Sequence, residues 1–144
     1  MLVMKLMDMD LKKYLQQNHN KLTWKEKIQI AFNIISAVEK LKFENSIHRD
    51  LHSGNILRSR YYHDFKISDL GFCGPADKPP EKIYGNLPYI APEVLVGKEH
   101  TFRSDIYSIG MLMWEISSGI PPFINYGVLS SSLIFIGYNY FFKF

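Results

Sequence analysis

Three short polar stretches follow one another in fixed order along this chain, and a fold has to account for all of them. They are His48-Arg49-Asp50 with Asn55 five positions on, then Asp69-Leu70-Gly71, then Ala91-Pro92-Glu93. Asp69 lies nineteen positions after Asp50, and Glu93 twenty-four after Asp69. Taken singly, Asp50 and Asp69 are ordinary turn-forming acids and Asn55 an ordinary turn cap. As an ordered set they demand a scaffold that holds several polar loops in register, because function is carried on loops positioned by regular elements.

The sequence between these stretches supplies such a scaffold. Residues 2–4 (Leu-Val-Met) read as the end of a strand, and a short helix follows over 11–17 with Asp10 as its N-cap. Thr23 and Glu26 form a capping box. Beyond it Ile28, Ala31, Ile34, Ile35, Val38 and Leu41 recur with helical period, which predicts a long amphipathic helix to about Phe43. Short β-type runs, Ile56-Leu57 and Phe65-Lys66-Ile67, alternate with the polar loops. Four Gly or Pro clusters make 71–92 a long loop. From 104 to 117 the residues Ile106, Ile109, Met111, Leu112, Met113, Trp114 and Ile116 surround the helix axis, so a helix buried on all sides is expected, ended by Gly119 and Pro121-Pro122. The fold class is α+β: mainly helical, with short strands around the polar loops.

Composition narrows the function. At 144 residues with 47% apolar content the chain has room for one cored domain. A net charge of +3, with lysines scattered singly or in pairs, gives no nucleic-acid footprint. One cysteine, Cys73, excludes an internal disulfide and reads as an ordinary small side chain in a reducing compartment. Lys5, Asp8, Asp10, Lys12 and Lys13 interrupt any apolar targeting core, so a cytoplasmic or nuclear location is expected. Residues 123–142 carry no charge, yet Asn125, Gly127, Ser130-Ser131-Ser132 and Asn139 make them a poor membrane span; strands or an adhesive tail fit better. His19, His63 and His100 are expected on the surface, and Trp24 and Trp114 as packing residues. Met4, Met7 and Met9 read as adaptable packing.

The polar set has a coherent chemistry. Asp50 can accept and orient a hydroxyl nucleophile as a base. Asn55 offers an amide oxygen and Asp69 a carboxylate, hard ligands of the kind Mg²⁺ prefers, with the phosphates of ATP completing the shell.

These residues closely resemble a known family. The run His48-Arg49-Asp50-Leu51-His52-Ser53-Gly54-Asn55, with Asp69-Leu70-Gly71 and Ala91-Pro92-Glu93, is similar to the C-terminal lobe of eukaryotic protein kinases over 1–123, with 124–144 divergent. The resemblance implies the mainly helical lobe of that fold and phosphorylation of protein Ser/Thr or Tyr hydroxyls by ATP, most like the tyrosine-kinase-like serine/threonine kinases. It implies that Asp105 braces the loop around Asp50, that Leu57 packs under the adenine, and that residues 2–7 form a hinge with Met4 as gatekeeper and Met7 beside it. Arg49 falls where the family grips an activating phosphate. The segment from Leu70 to Pro92 has only Tyr84 and Tyr89 as hydroxyls, so Tyr84 is the expected acceptor, unless Asp77 and Glu81 substitute as fixed charges or Arg49 pairs with a local carboxylate.

The chain departs from the pattern in several places. The N-terminal lobe, with its Gly-rich loop, strand lysine and helix glutamate, has no counterpart, so weak activity alone is expected. The lobe's last helices are also missing, and Glu93 without their arginine is expected to be exposed, protonated or otherwise paired. His52 stands where a lysine contacts the γ-phosphate, and either donates there when protonated or is a neutral loop residue. Asn86 replaces a threonine. Two rival readings remain: a non-catalytic binding module that engages a protein partner through the 124–144 tail, and an inactive gene fragment.

Overall fold

The computed structural model describes residues 7–59, 61–75 and 86–124. Met4 and the strand end at 2–4, the loop residues Asp77, Glu81 and Tyr84, and the tail beyond Ile124 lie outside the described residues.

Local sequence chemistry fixes the element boundaries. Strand β1 (Met7–Asp10) runs directly into helix α1 (Leu11–Asn18), and the Asp10 carboxylate accepts the Lys13 N–H at 2.7 Å as N-cap. Helix α2 (Trp24–Phe43) starts on the expected capping box, with Thr23 and Glu26 satisfying each other's backbone N–H groups. Strands β2 (Ser46–Ile47), β3 (Ile56–Ser59), β4 (Phe65–Ile67) and β5 (Gly74–Pro75) follow, then the single turn of α3 (Pro92–Leu95) and the long α4 (Phe102–Ser118). Helix α4 is capped by Thr101 and terminated by Gly119 at φ 79°, a left-handed conformation that favours glycine.

The strands form two small antiparallel sheets. In the larger, β3 is central, pairing Leu57 with Asp10 of β1 and Ile56 with Ile67 of β4. In the smaller, Ile47 of β2 pairs with Gly74 of β5. The core lies between these sheets and the helices: Leu11 and Leu15 of α1, Ile30, Ile34 and Val38 of α2, and Ile109, Leu112 and Ile116 of α4 close over Ile56 and Phe65.

Two expectations are corrected here. On α2 the buried line is Ile30, Ile34 and Val38, with Ala31 and Leu41 half-buried, whereas Ile28 and Ile35 are 65% and 44% exposed. The helix is apolar on two faces, so composition alone could not phase it, and the outward face carries Trp24, Ile28, Phe32 and Ile35 at helical spacing. Trp24 is therefore not a core residue. On α4, Ile106, Met113 and Trp114 face outward, while Ser104, Asp105, Ser108 and Glu115 are buried. The polar residues turn inward because their hydrogen-bond partners lie on the loops packed against that face.

Burial separates the consequences of mutation. Leu112→Ala should lower stability by about 2–5 kcal/mol through the cavity it leaves. Phe32→Ser, on the outward face of α2, should change it by no more than about 0.5 kcal/mol. Urea denaturation followed by circular dichroism distinguishes them.

Candidate functional site

The site is built on the loop that joins β2 to β3, and the loop is anchored from beneath. Asp105, in the first turn of α4 and 2% exposed, accepts the His48 N–H on Oδ2 at 2.8 Å and the Arg49 N–H on Oδ1 at 3.1 Å. Burial pushes its carboxyl above the usual carboxylate range, and the two amide donors pull it back. Arg49 takes a left-handed conformation at φ 72°, which an L side chain adopts only when its surroundings enforce it. The fully buried His48 ring ties the loop to the next polar stretch. Its Nδ1 accepts the Asp50 N–H at 3.3 Å, which leaves Nε2–H to donate to the Ser68 carbonyl at 3.0 Å.

Asp50 and Asn55 meet directly. Asn55 Nδ2 donates to the Asp50 carbonyl at 2.9 Å and to its Oδ2 at 3.1 Å. Both partners are acceptors, so the amide nitrogen must face them and the amide oxygen is turned away. The Asn55 carbonyl accepts the Ser68 N–H at 2.8 Å and the Ser68 hydroxyl at 3.0 Å. Asp69, the next residue, is thereby brought to the same corner of the molecule. It is exposed, left-handed at φ 55°, and its Oδ1 accepts the Gly71 N–H at 3.4 Å.

Asp50 is the most unusual member. Its side chain is 10% exposed, Oδ2 carries the Asn55 contact, and Oδ1 is buried with no hydrogen-bond partner. A buried carboxylate oxygen without a donor is costly unless something arrives to satisfy it. A hydroxyl nucleophile would supply that missing donor.

The donor chemistry also fits a cation held jointly with a nucleotide. No group of three His, Cys, Asp or Glu side chains suited to a metal occurs among the described residues. One carboxylate (Asp69) and one amide oxygen (Asn55) is a set that leaves a Mg²⁺ shell for phosphate oxygens and water.

Other expected residues are placed differently. The Arg49 guanidinium donates to the Phe72 carbonyl at 3.3 Å and the Pro75 carbonyl at 2.8 Å. Among the described residues these two backbone carbonyls tie the guanidinium to the segment beyond Asp69. Tyr89 is 4% exposed and donates its hydroxyl to Glu115 at 2.5 Å, so it offers no accessible hydroxyl. In the Ala91-Pro92-Glu93 stretch, Ala91 packs with Ile90 and Val94 in a small cluster separate from the main core. Glu93 is half-buried, and its charge, after burial, helps push the Tyr107 phenol up. Leu57 is half-buried on β3 opposite Lys66, and Met7 is half-buried at the start of β1. Burial pushes the Cys73 thiol up, which matches an unreactive side chain.

Two groups escaped the sequence reading. Tyr89 and Glu115 form a buried pair, with Ser108 Oγ donating to the Tyr89 carbonyl at 2.7 Å. A lone acid in an apolar helix was the available signal, because such a group needs a partner. His100, expected on the surface, is 8% exposed. Burial and the positive charge of Arg49 hold its imidazole below the ordinary value of 6.5, against the opposing pull of Asp105 and Asp50.

Comparison with known proteins finds similar chains. The family model for the protein kinase domain matches residues 1–133. A probable serine/threonine-protein kinase, roco5 of Dictyostelium discoideum, is 32% identical over 129 residues, covering 85% of this chain and 5% of its own length. Serine/threonine-protein kinase CLA4 of Candida albicans is 32% identical over 118 residues, covering 80% of this chain. Serine/threonine-protein kinase PLK4 of Nematostella vectensis is 35% identical over 122 residues, covering 83%. The chain spans 12% of the length of each of the last two.

The His100 environment has a measurable consequence. A histidine whose folded value is depressed contributes stability that is present above its ordinary 6.5 and is lost as pH falls through the depressed value. Wild type should therefore lose denaturant stability as pH falls below the ordinary 6.5, and His100→Gln should flatten that loss. Urea midpoints measured across this window check it.

Proposed function

Since this chain belongs to the protein kinase family, we propose that it carries the catalytic-loop half of a site that moves the γ-phosphoryl group of ATP to a protein hydroxyl. The observation that carries this reading is the Asp50 carboxylate, clamped on Oδ2 by Asn55 and left with a buried, partnerless Oδ1. In this reading Asp50 is the base. Its carboxylate accepts the hydrogen bond of the attacking hydroxyl, orients it and takes its proton as the phosphoryl bond forms. Asn55 and Asp69 would hold Mg²⁺, which supplies charge neutralisation at the phosphates when bound. Orientation provides most of the acceleration for this chemistry, which fits a loop fixed by so many buried hydrogen bonds.

The finer assignments are extensions of the same reading. The described residues correspond to the C-terminal lobe of the kinase fold, with the domain over 1–123. Leu57, Met7 and Met4 would line the adenine side, and Arg49 and His52 belong to the catalytic loop. Serine or threonine is the favoured acceptor because the relatives named above are serine/threonine kinases; membership of the tyrosine-kinase-like group remains part of the proposal. A cytoplasmic or nuclear location suits such substrates, and among the described residues no helix is long and apolar enough to cross a membrane. A second reading, a non-catalytic module that binds a protein partner, is favoured by the exposed line Trp24, Ile28, Phe32 and Ile35 on α2.

Thermal shift with ATP separates the two readings. A rise in melting temperature that depends on Mg²⁺ is expected, and Asp69→Asn should remove it. Asp50→Asn should keep the nucleotide-dependent rise but lower phosphoryl transfer to a protein substrate by about 10²–10⁴-fold. Absence of any Mg²⁺-dependent stabilisation of the wild-type chain would sink the catalytic reading.

A further inference from the structure

His52 and Gly54 sit two residues apart in the loop, and the structure gives them one joint task. His52 has extended backbone, and its ring folds back over the turn that follows, Nδ1 accepting the Gly54 N–H at 3.1 Å. A ring nitrogen that accepts an N–H carries no proton, so the neutral ring must bear its proton on Nε2. That Nε2 stands 3.7 Å from Asp50 Oδ2, beyond hydrogen-bond length but within electrostatic contact. Oδ2 is thus hydrogen-bonded by Asn55 with the His52 ring nitrogen close by, while Oδ1 has no hydrogen-bond partner.

The ring can take this pose only over a residue without a side chain. A Cβ added at Gly54 would lie 2.9 Å from His52 Cε1 and 3.0 Å from Nδ1, closer than such contacts tolerate. The ring also lies near Tyr89, with ring centroids 6.1 Å apart, and Tyr89 is itself held by Glu115.

We propose that His52, seated on Gly54 in its Nε2–H form, is a positioning residue that helps hold the Asp50 carboxylate in its place beside Asn55. This deepens the kinase reading and rests on Asp50 being its base. It follows the second of the two sequence readings of His52, a neutral loop residue, and gives that ring a part beside the base. It also makes residues 52 and 54 a matched pair: glycine is required at 54 because histidine occupies 52.

Two side-chain swaps separate the ring's two contacts. Asn places an acceptor oxygen where Nδ1 lies, so His52→Asn keeps the Gly54 contact and withdraws the donor from Asp50. Gln reaches the Nε2 position, so His52→Gln restores that donor. Ring-nitrogen NMR of the full chain is expected to show Nδ1 bare and Nε2 protonated. Carboxyl-carbon NMR is expected to show the Asp50 signal shifted in His52→Asn and returned toward wild type in His52→Gln, with the Gly54 amide signal retained in His52→Asn. Gly54→Ala should abolish the tautomer preference in wild type, and should leave the Asp50 signal unmoved when made on top of His52→Asn.

A wild-type ring protonated on Nδ1, or an Asp50 signal indifferent to His52→Asn, overturns the arrangement while leaving the kinase reading intact. Conversely, a wild-type chain that shows these signatures but binds no Mg²⁺–ATP removes the kinase reading, and with it the meaning of the orientation.

Discussion

One carboxylate carries the rest of the site. Asp105 sits at the positive end of α4, where unpaired amide groups and the helix dipole favour negative charge. From there it takes the backbone N–H groups of His48 and Arg49, two consecutive donors that the left-handed turn at Arg49 aims the same way. Without that acceptor the two donors would be left unsatisfied in a buried place, and the strained turn would lose the contact that offsets its cost. The loop would then have several conformations open to it, and Asp50 would have no fixed address.

From Asp105 the order passes outward through a continuous hydrogen-bond chain. His48 joins the loop to Ser68, Asn55 joins Asp50 to the same serine, and Ser68 is followed at once by Asp69. Stretches that are nineteen positions apart in sequence thus share one corner. The Arg49 guanidinium, reaching the carbonyls of Phe72 and Pro75, holds the segment beyond Asp69 against the loop, and the β2–β5 pairing supports it from the other side. Buried networks of this sort specify one arrangement because any partial version leaves a polar group stranded.

What the sequence revealed was what local chemistry determines. Asp10, the Thr23–Glu26 box and Gly119 act on residues three or four positions away, and their elements begin or end where expected. The polar corner was legible for a different reason: its residue types are dictated by chemistry that tolerates few substitutes. Tertiary facts were not legible. The phase of α2 depended on which of two apolar faces meets α4 and β4, and nothing in the helix itself records that choice. His100 looked polar and exposed because the groups that enclose it lie far away in sequence. Ala91, from the third stretch of the ordered set, packs with Ile90 and Val94 against Tyr107, a partner its local sequence does not record.

The inward turn of the polar face of α4 shows how the competing terms are resolved. Burying Asp105, Ser108 and Glu115 while leaving Ile106, Met113 and Trp114 exposed runs against the hydrophobic ranking of every residue involved. Rotating the helix to bury Ile106, Met113 and Trp114 would uncover Ile109, Leu112 and Ile116, each worth about 1.5–3 kcal/mol when buried, so the apolar gain would be largely cancelled. It would also strand the backbone donors of His48 and Arg49, the Tyr89 hydroxyl and the acids themselves, at about 1–3 kcal/mol for each neutral group and more for each charge. The observed arrangement prevails because it keeps that apolar line in the core and satisfies the polar groups beside it together. A helix committed in this way gives up apolar burial on one side in exchange for a loop of single conformation on the other. That exchange makes sense only if the loop's geometry is what the molecule is selected to keep.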